Sequence, residues 1–306
     1  LAALAVQHGV PVHPVHSAFA AAGVTGIGSE TTYALRAPKI AVLAGEPTSP
    51  SSYGALRFLF EQTYQVDYVP LSVRALRDIR LADFNVIVLP SGHPRHYASA
   101  LGADGAKKLK AWAEAGGTLV CLGGAAEFAA AEEREWTDAR LVKDESKGEG
   151  KKRNGETDRP KDETPEEKKA EPEPEKDPIA VPGAILRATL NRDHFLTFGY
   201  EAATLPVLVN TAAFYTATET GTNVLTFQGE ELRLSGYVWL DNTERLIRDT
   251  AALIDEPVGA GRIILFADEP GYRHLWHGTT RMLINAMLYG PGVGHQATSY
   301  FKAERE

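Results

Sequence analysis

The chain has 306 residues, enough for one large domain or two small ones with a sizeable core. An apolar fraction of 43%, a charged fraction of 24% and a formal net charge of -8 are ordinary for a globular chain and argue against general binding to nucleic acid or anionic membrane. No stretch approaches the roughly 18 apolar residues of a membrane-spanning helix, and the single cysteine, Cys121, excludes an internal disulfide and a multi-cysteine zinc site.

Residues 1–36 fit no sheet pattern and read as the end of a preceding module plus a linker, Gly23 to Gly28. Leu1, Leu4 and Val6 begin as if in mid-helix, without a preceding basic run. A piece of a longer chain is therefore expected, a processed mature chain being the alternative. Lys39–Ala44 is a continuous apolar strand of the buried, parallel kind. Ser51 or Ser52 can cap a helix to about Tyr64, with Tyr53, Leu56, Leu59, Phe60 and Thr63 on its inner face. Asp67–Leu71 is a second strand, and Ser72 caps a helix with Val73, Leu76 and Ile79 on one side. Asn85–Leu89 is a third strand, Asp104–Ala115 a helix closed by Gly116-Gly117, and Thr118–Leu122 a fourth strand. This alternation over residues 37–130 predicts an α/β fold with a doubly wound, mainly parallel sheet.

Between Lys143 and Asp177 the only apolar residue is Ala170. Ordering a backbone costs about 1–2 kcal/mol per residue, so residues 131–180 read as a disordered charged insertion. Residues 181–291 then complete the domain. Ala184–Leu190, Val207–Asn210, Asn223–Phe227 and Leu232–Val238 are short alternating runs expected to add antiparallel strands. Arg262–Ala267 returns to the buried-strand style, Thr280–Tyr289 is an apolar helix, and residues 292–306 form a tail.

Three stretches carry a resemblance: KIAVLAGEPTSPSSYGALRFLFEQ from Lys39, WAEAGGTLVCLGGAAEF from Trp112, and EPVGAGRIILFADEPGYRHLWHGTTRMLINAMLYGP from Glu256. They resemble the class I glutamine-amidotransferase-like domain that follows the catalytic domain in some large bacterial zinc carboxypeptidases. DHFLTFGY, Asp193–Tyr200, resembles a recurring stretch of amidotransferase-like accessory domains. The resemblance implies a flavodoxin-like sheet and a parent that trims peptide C-termini with zinc. It also implies a secreted or periplasmic location, and the upstream peptidase domain of the same polypeptide as partner. None of the nine histidines has Glu three places on, so the zinc-binding His-x-x-Glu of that peptidase is not in this sequence and no cofactor is assigned to it.

An active amidotransferase needs a cysteine at a sharp strand-to-helix turn, in the order Gly-x-Cys-x-Gly. Here the turn should fall at Gly123-Gly124-Ala125, which puts Ala125 in the nucleophile slot and predicts no catalytic residue. Cys121, between Val120 and Leu122, reads as a small core hydrophobe. Candidate ligand-binding groups lie in loops at strand ends. Glu46, Ser49, Ser51 and Ser52 could hold an anion or a sugar hydroxyl at a helix N-terminus, or simply form a capped turn. His93 and His96 follow a strand, but Pro94 speaks against one helix carrying both, and no third metal ligand is evident; His13/His16 and His274/His277 read as surface pairs. Arg273 and Trp276 could recognise a peptide or glycan, or anchor their loop to a preceding domain. Asn191–His194 reads as a turn between strands. The expected function is a non-catalytic accessory domain. The alternatives are a stand-alone carbohydrate- or peptide-binding module and a residual amidohydrolase using Cys121.

Overall fold

Short β-branched and leucine-rich runs separated by helices can pair in parallel only if the intervening helices cross over the sheet faces. In the computed structural model, which describes residues 2–13, 33–143, 179–229 and 231–293, five strands do so. They are β1 (Ile40–Ala44), β2 (Tyr68–Ser72), β3 (Val86–Leu89), β4 (Thr118–Leu122) and β10 (Gly261–Phe266), parallel in the order β2-β1-β3-β4-β10. Strand alternation sends Ile40 and Val42 to one face and Ala41 and Leu43 to the other. Helices α2 (Pro50–Phe58) and α5 (Thr280–Tyr289) cover the first face through Leu56, Met282 and Leu283. Helices α3 (Pro94–Glu114) and α4 (Gly124–Ala129) cover the second through Leu101, Leu109 and Phe128. A short helix α1 (Ala2–His8) stands ahead of the sheet.

Beyond β10 the sheet continues antiparallel through β9 (Thr250–Val258), β7 (Thr222–Phe227), β5 (Ala184–Leu190) and β6 (Thr204–Val209). The strand β8 (Arg233–Gly236) also pairs with β5. Each outermost strand carries a proline, Pro70 in β2 and Pro206 in β6, which withholds a donor from further pairing.

Several expectations are corrected. Pro94 does not exclude a helix: it is the first residue of α3, where its missing N–H and fixed φ cost nothing, and the helix kinks at Gly102. Neither Ser51 nor Ser52 caps α2, which starts at Pro50 behind Ser49 and widens into a π-type turn over Leu59–Tyr64. The segment after β2 is a 3₁₀ turn, Val73–Arg77, capped by the Ser72 hydroxyl accepting from Arg74 N–H. Strand β9 was not foreseen. Residues 131–143 fold onto the body: Trp136 packs edge-on to Phe128 at 5.5 Å, Ala139 N–H donates to Glu256, and Leu141 bridges to Tyr215. Residues 144–178, the core of the charged insertion, lie outside the described residues, as does His16.

Candidate functional site

Parallel strands all end on the same edge, so the loops after β1, β3, β4 and β10 must meet there. Ser91 is the knot that ties them. Its carbonyl accepts from Ser49 N–H at 2.7 Å, its N–H donates to Ser52 Oγ at 2.9 Å, and its hydroxyl accepts from Gly124 N–H at 3.2 Å. Gly92 closes the same crossing, pairing with Thr48, and has no room for a side chain because the Pro47 carbonyl occupies that space.

The strand-to-helix turn is present, but its pivot is Gly123, not Ala125. Gly123 holds φ 50° and ψ -122° directly between β4 and α4, whereas Ala125 is fully buried inside α4. A nucleophile elbow needs its reactive residue at the strained pivot, and here that residue has no side chain. The turn is also filled. A Cβ on Gly123 would lie 2.6 Å from Ser91 Oγ, and a Cβ on Gly124 would run into the Gly92 carbonyl. Gly124 N–H, the donor that would face a developing oxyanion, is taken by Ser91. Cys121 lies inside β4, fully buried between Leu89 and Leu265 on the neighbouring strands, and burial pushes its thiol pKa up.

Beside the closed elbow lies an open cleft of about 810 Å³, roofed by Glu46 and Thr48 after β1, by Arg74, Arg77 and Asp78 after β2, and by His96 and Ser99 on the first turns of α3. Residues three apart on a 3₁₀ turn eclipse one another. Val73 and Leu76 therefore bury together while Arg74 and Arg77 share the opposite side, towards the cleft. Lys108 Nζ donates to the Arg77 and Ile79 carbonyls at 2.8 and 2.7 Å and fixes the turn's end. Gly102, with no side chain at the kink, leaves room for the Arg77 guanidinium against α3. Among the described residues neither guanidinium forms an ion pair.

The sequence candidates separate. Glu46 and His96 line the cleft. Ser49 and Ser51 bond to each other at 2.9 Å near its rim, while Ser52 is buried against Ser91 and works inside the fold. His93 caps the start of α3: its Nδ1 accepts from Arg95 N–H, its ring lies 4.8 Å from that of His96, and it partly offsets the burial that raises the Glu127 carboxyl. Arg273 lies in a separate loop, where with Ser52 it partly offsets the burial that raises Glu269. Trp276 is half-buried there, and among the described residues its indole N–H has no partner. His274 packs on Phe58 at 4.4 Å and stands 4.7 Å from His277. Among the described residues no three His, Cys, Asp or Glu side chains cluster as a metal would require.

Sequence reading missed Arg74, Arg77, Asp268 and Glu269. The two arginines were legible as an i, i+3 pair after a strand, had the turn been read as 3₁₀. Asp268 accepts from Asn210 N–H at 2.6 Å and Glu269 N–H at 2.8 Å, and burial nevertheless pushes its carboxyl up to about 6. At the opposite edge Asp255 Oδ2 meets His194 Nε2 at 3.0 Å and Arg262 Nη1 at 2.5 Å, all three buried. Burial raises the Asp255 carboxyl, but Arg262 and His194 together hold it below its usual range. The other nitrogen of His194 accepts from Leu196 N–H, so neither is free to act as a base, and the trio is structural.

No protein-family model matches the chain, and no curated protein sequence does. Solved structures are similar in fold. A ThuA-like protein from Parabacteroides merdae shares 10% identity over 84% of this chain and 90% of its own, with a TM-score of 0.51. A ThuA-like protein from Bacteroides uniformis shares 12% identity over 85% and 94%, with a TM-score of 0.48. A glutamine amidotransferase from Thermotoga maritima shares 8% over 75% and 74%, with a TM-score of 0.42. The chain thus has a ThuA-like α/β fold, the doubly wound, flavodoxin-like sheet that its amidotransferase-like motifs imply.

Proposed function

We propose that the chain is a non-catalytic binding module that holds a small anionic group in the cleft between Glu46, Arg74, Arg77 and His96. The observation that carries this reading is the filled elbow: Ser91 occupies the place of a nucleophile and takes the oxyanion donor, while the adjacent cleft presents two guanidinium groups that, among the described residues, form no ion pair with Glu46 or Asp78, which also line it. Guanidinium pairs suit planar carboxylates and phosphates. Calorimetric titration with an N-acetylated dipeptide tests the reading, its C-terminally amidated form serving as control and inorganic phosphate as a second anion. Binding should need the anion and should weaken about tenfold or more in Arg74→Gln and Arg77→Gln, since a hydrogen bond to a charged group contributes about 1.5–3 kcal/mol. Equal affinity for the free acid and the amide would overturn it.

The finer placement is supported by the sequence resemblance. In it the module follows the catalytic domain of a zinc carboxypeptidase and acts on that domain as an accessory. The parent is secreted or periplasmic, and its zinc sits in the upstream domain. An anion-binding cleft there would suit a peptide C-terminus. The reading frame upstream of Leu1 decides this: a zinc-binding His-x-x-Glu, followed by a later His and a catalytic Glu, is expected, and a frame lacking them refutes the placement. A stand-alone carbohydrate- or peptide-binding module then remains. The third reading, an amidohydrolase using Cys121, is opposed by the burial of its thiol.

A further inference from the structure

The segment Asp193–Tyr200 has no part in the anion-binding cleft, yet it is tied down by many hydrogen bonds. Thr197 Oγ1 donates within the turn, 2.7 Å from both the Asn191 and His194 carbonyls. Asn285 on α5 donates to the Leu196 and Phe198 carbonyls at 2.9 Å each, Arg281 to that of Gly199 at 2.8 Å, and the Tyr200 hydroxyl to that of Gly278 at 2.8 Å. Gly199 sits at φ 87° with the Arg281 guanidinium where a side chain would be. These bonds fix a loop whose one large apolar side chain points outward: Phe198 is 47% exposed, steadied by the Tyr289 ring at 5.5 Å.

Phe198 stands at the edge of a cavity of about 870 Å³ on the antiparallel half of the sheet. Thr189 of β5 and Thr226 of β7 face each other in register and both line it, with the Gln228 amide alongside. Among the described residues these two hydroxyls and this amide have no hydrogen-bond partner. Asn191 spends its carbonyl oxygen on Asp193 N–H, which leaves its amide N–H groups for the cavity. One guanidinium, Arg192, and two carboxylates, Asp193 and Asp249, also border the space, so both signs of charge are present at its rim with the negative in slight excess.

We propose that this cavity is a binding site for a neutral sugar residue, its C–H face against Phe198 and its hydroxyls against Thr189, Thr226 and Gln228. A pyranose has an apolar face and a rim of groups that each donate and accept, which a pre-ordered aromatic ring beside neutral hydroxyls and amides complements. An anionic ligand would meet the two carboxylates here, a cationic one the guanidinium, and a purely apolar one would strand the hydroxyls.

The site is separate from the anion-binding cleft, and the test treats it so. The full chain is titrated calorimetrically with maltotriose, cellotriose and tri-N-acetylchitotriose, each to 10 mM, alongside Phe198→Ala, Thr226→Val and Gln228→Ala. At least one trisaccharide should bind, weakened about tenfold or more by Phe198→Ala and measurably by Gln228→Ala, an exposed position that leaves folding intact. Arg74→Gln should leave this binding unchanged. Binding of none of the three, or binding indifferent to both Phe198→Ala and Gln228→Ala, overturns the inference and leaves the anion-binding cleft standing. Loss of sugar binding in Arg74→Gln with no loss in Phe198→Ala would move the sugar to the cleft and overturn it equally.

Discussion

Gly123 occupies φ 50° and ψ -122°, where an L side chain costs about 1–3 kcal/mol of backbone strain. An alanine Cβ there would also stand 2.6 Å from Ser91 Oγ and 3.1 Å from Ser91 Cβ, an overlap the knot of loops can relieve only by shifting. Overpacking of that kind costs about 1–3 kcal/mol, so Gly123→Ala should destabilise the fold by about 2–6 kcal/mol in all. Urea unfolding followed by tryptophan fluorescence measures this, in the native background and in Ser91→Gly. Without the Ser91 side chain the overlap disappears and only the strain of about 1–3 kcal/mol remains, so the two substitutions should couple rather than add. Gly124→Ala makes the contrast, because its Cβ meets the Gly92 carbonyl and no side-chain deletion can rescue it. A cost for Gly123→Ala below about 0.5 kcal/mol, the range of neutral surface changes, would refute the filled elbow. An identical cost in both backgrounds would refute the role of Ser91.

Other expectations follow from buried groups. Arg262→Met strands the Asp255 carboxylate and should cost about 3–5 kcal/mol in the same unfolding assay, part of which Asp255→Leu in the same chain should restore. The Asp268 carboxyl sits at about 6 when folded, against about 3.9 unfolded, so the folded state takes up the proton first. Its contribution to stability is full below about pH 4 and is lost as pH rises through about 6, roughly 3 kcal/mol in total. Side-chain carbonyl chemical shifts followed against pH would locate the midpoint, and a value near 4 contradicts the burial argument. Cys121 should resist a thiol reagent until denaturant is added; prompt labelling of folded protein would contradict its place in the core.

The parallel half of the fold was legible because its inner strands are buried on both faces and read as unbroken apolar runs, as in IAVLA and TLVCL. Helix α5 and strand β5 were legible by periodicity instead, one by its helical period and the other by strict alternation. Strand β9 was not, because Asp255, Glu256 and Pro257 interrupt its pattern. Those charges are buried only through Arg262, His194, Thr220 and the Ala139 N–H, which come from elsewhere in the chain. Local pattern also misplaced the elbow, since spacing from a motif pointed to Ala125 while the backbone dihedral that defines the pivot belongs to Gly123. The glycine-rich run announced a tight turn. That the turn is plugged depends on Ser91, which lies 32 residues earlier in the chain than Gly123 and reaches it only through the β3–β4 pairing.

Ammonia release from glutamine by the purified chain of 306 residues tests the central claim most directly. With no side chain at the pivot and Ser91 holding the Gly124 N–H, release should not exceed that of a heat-denatured sample. Sustained release that Cys121→Ser abolishes would mean that the turn opens and reacts, and the binding-module account would be wrong.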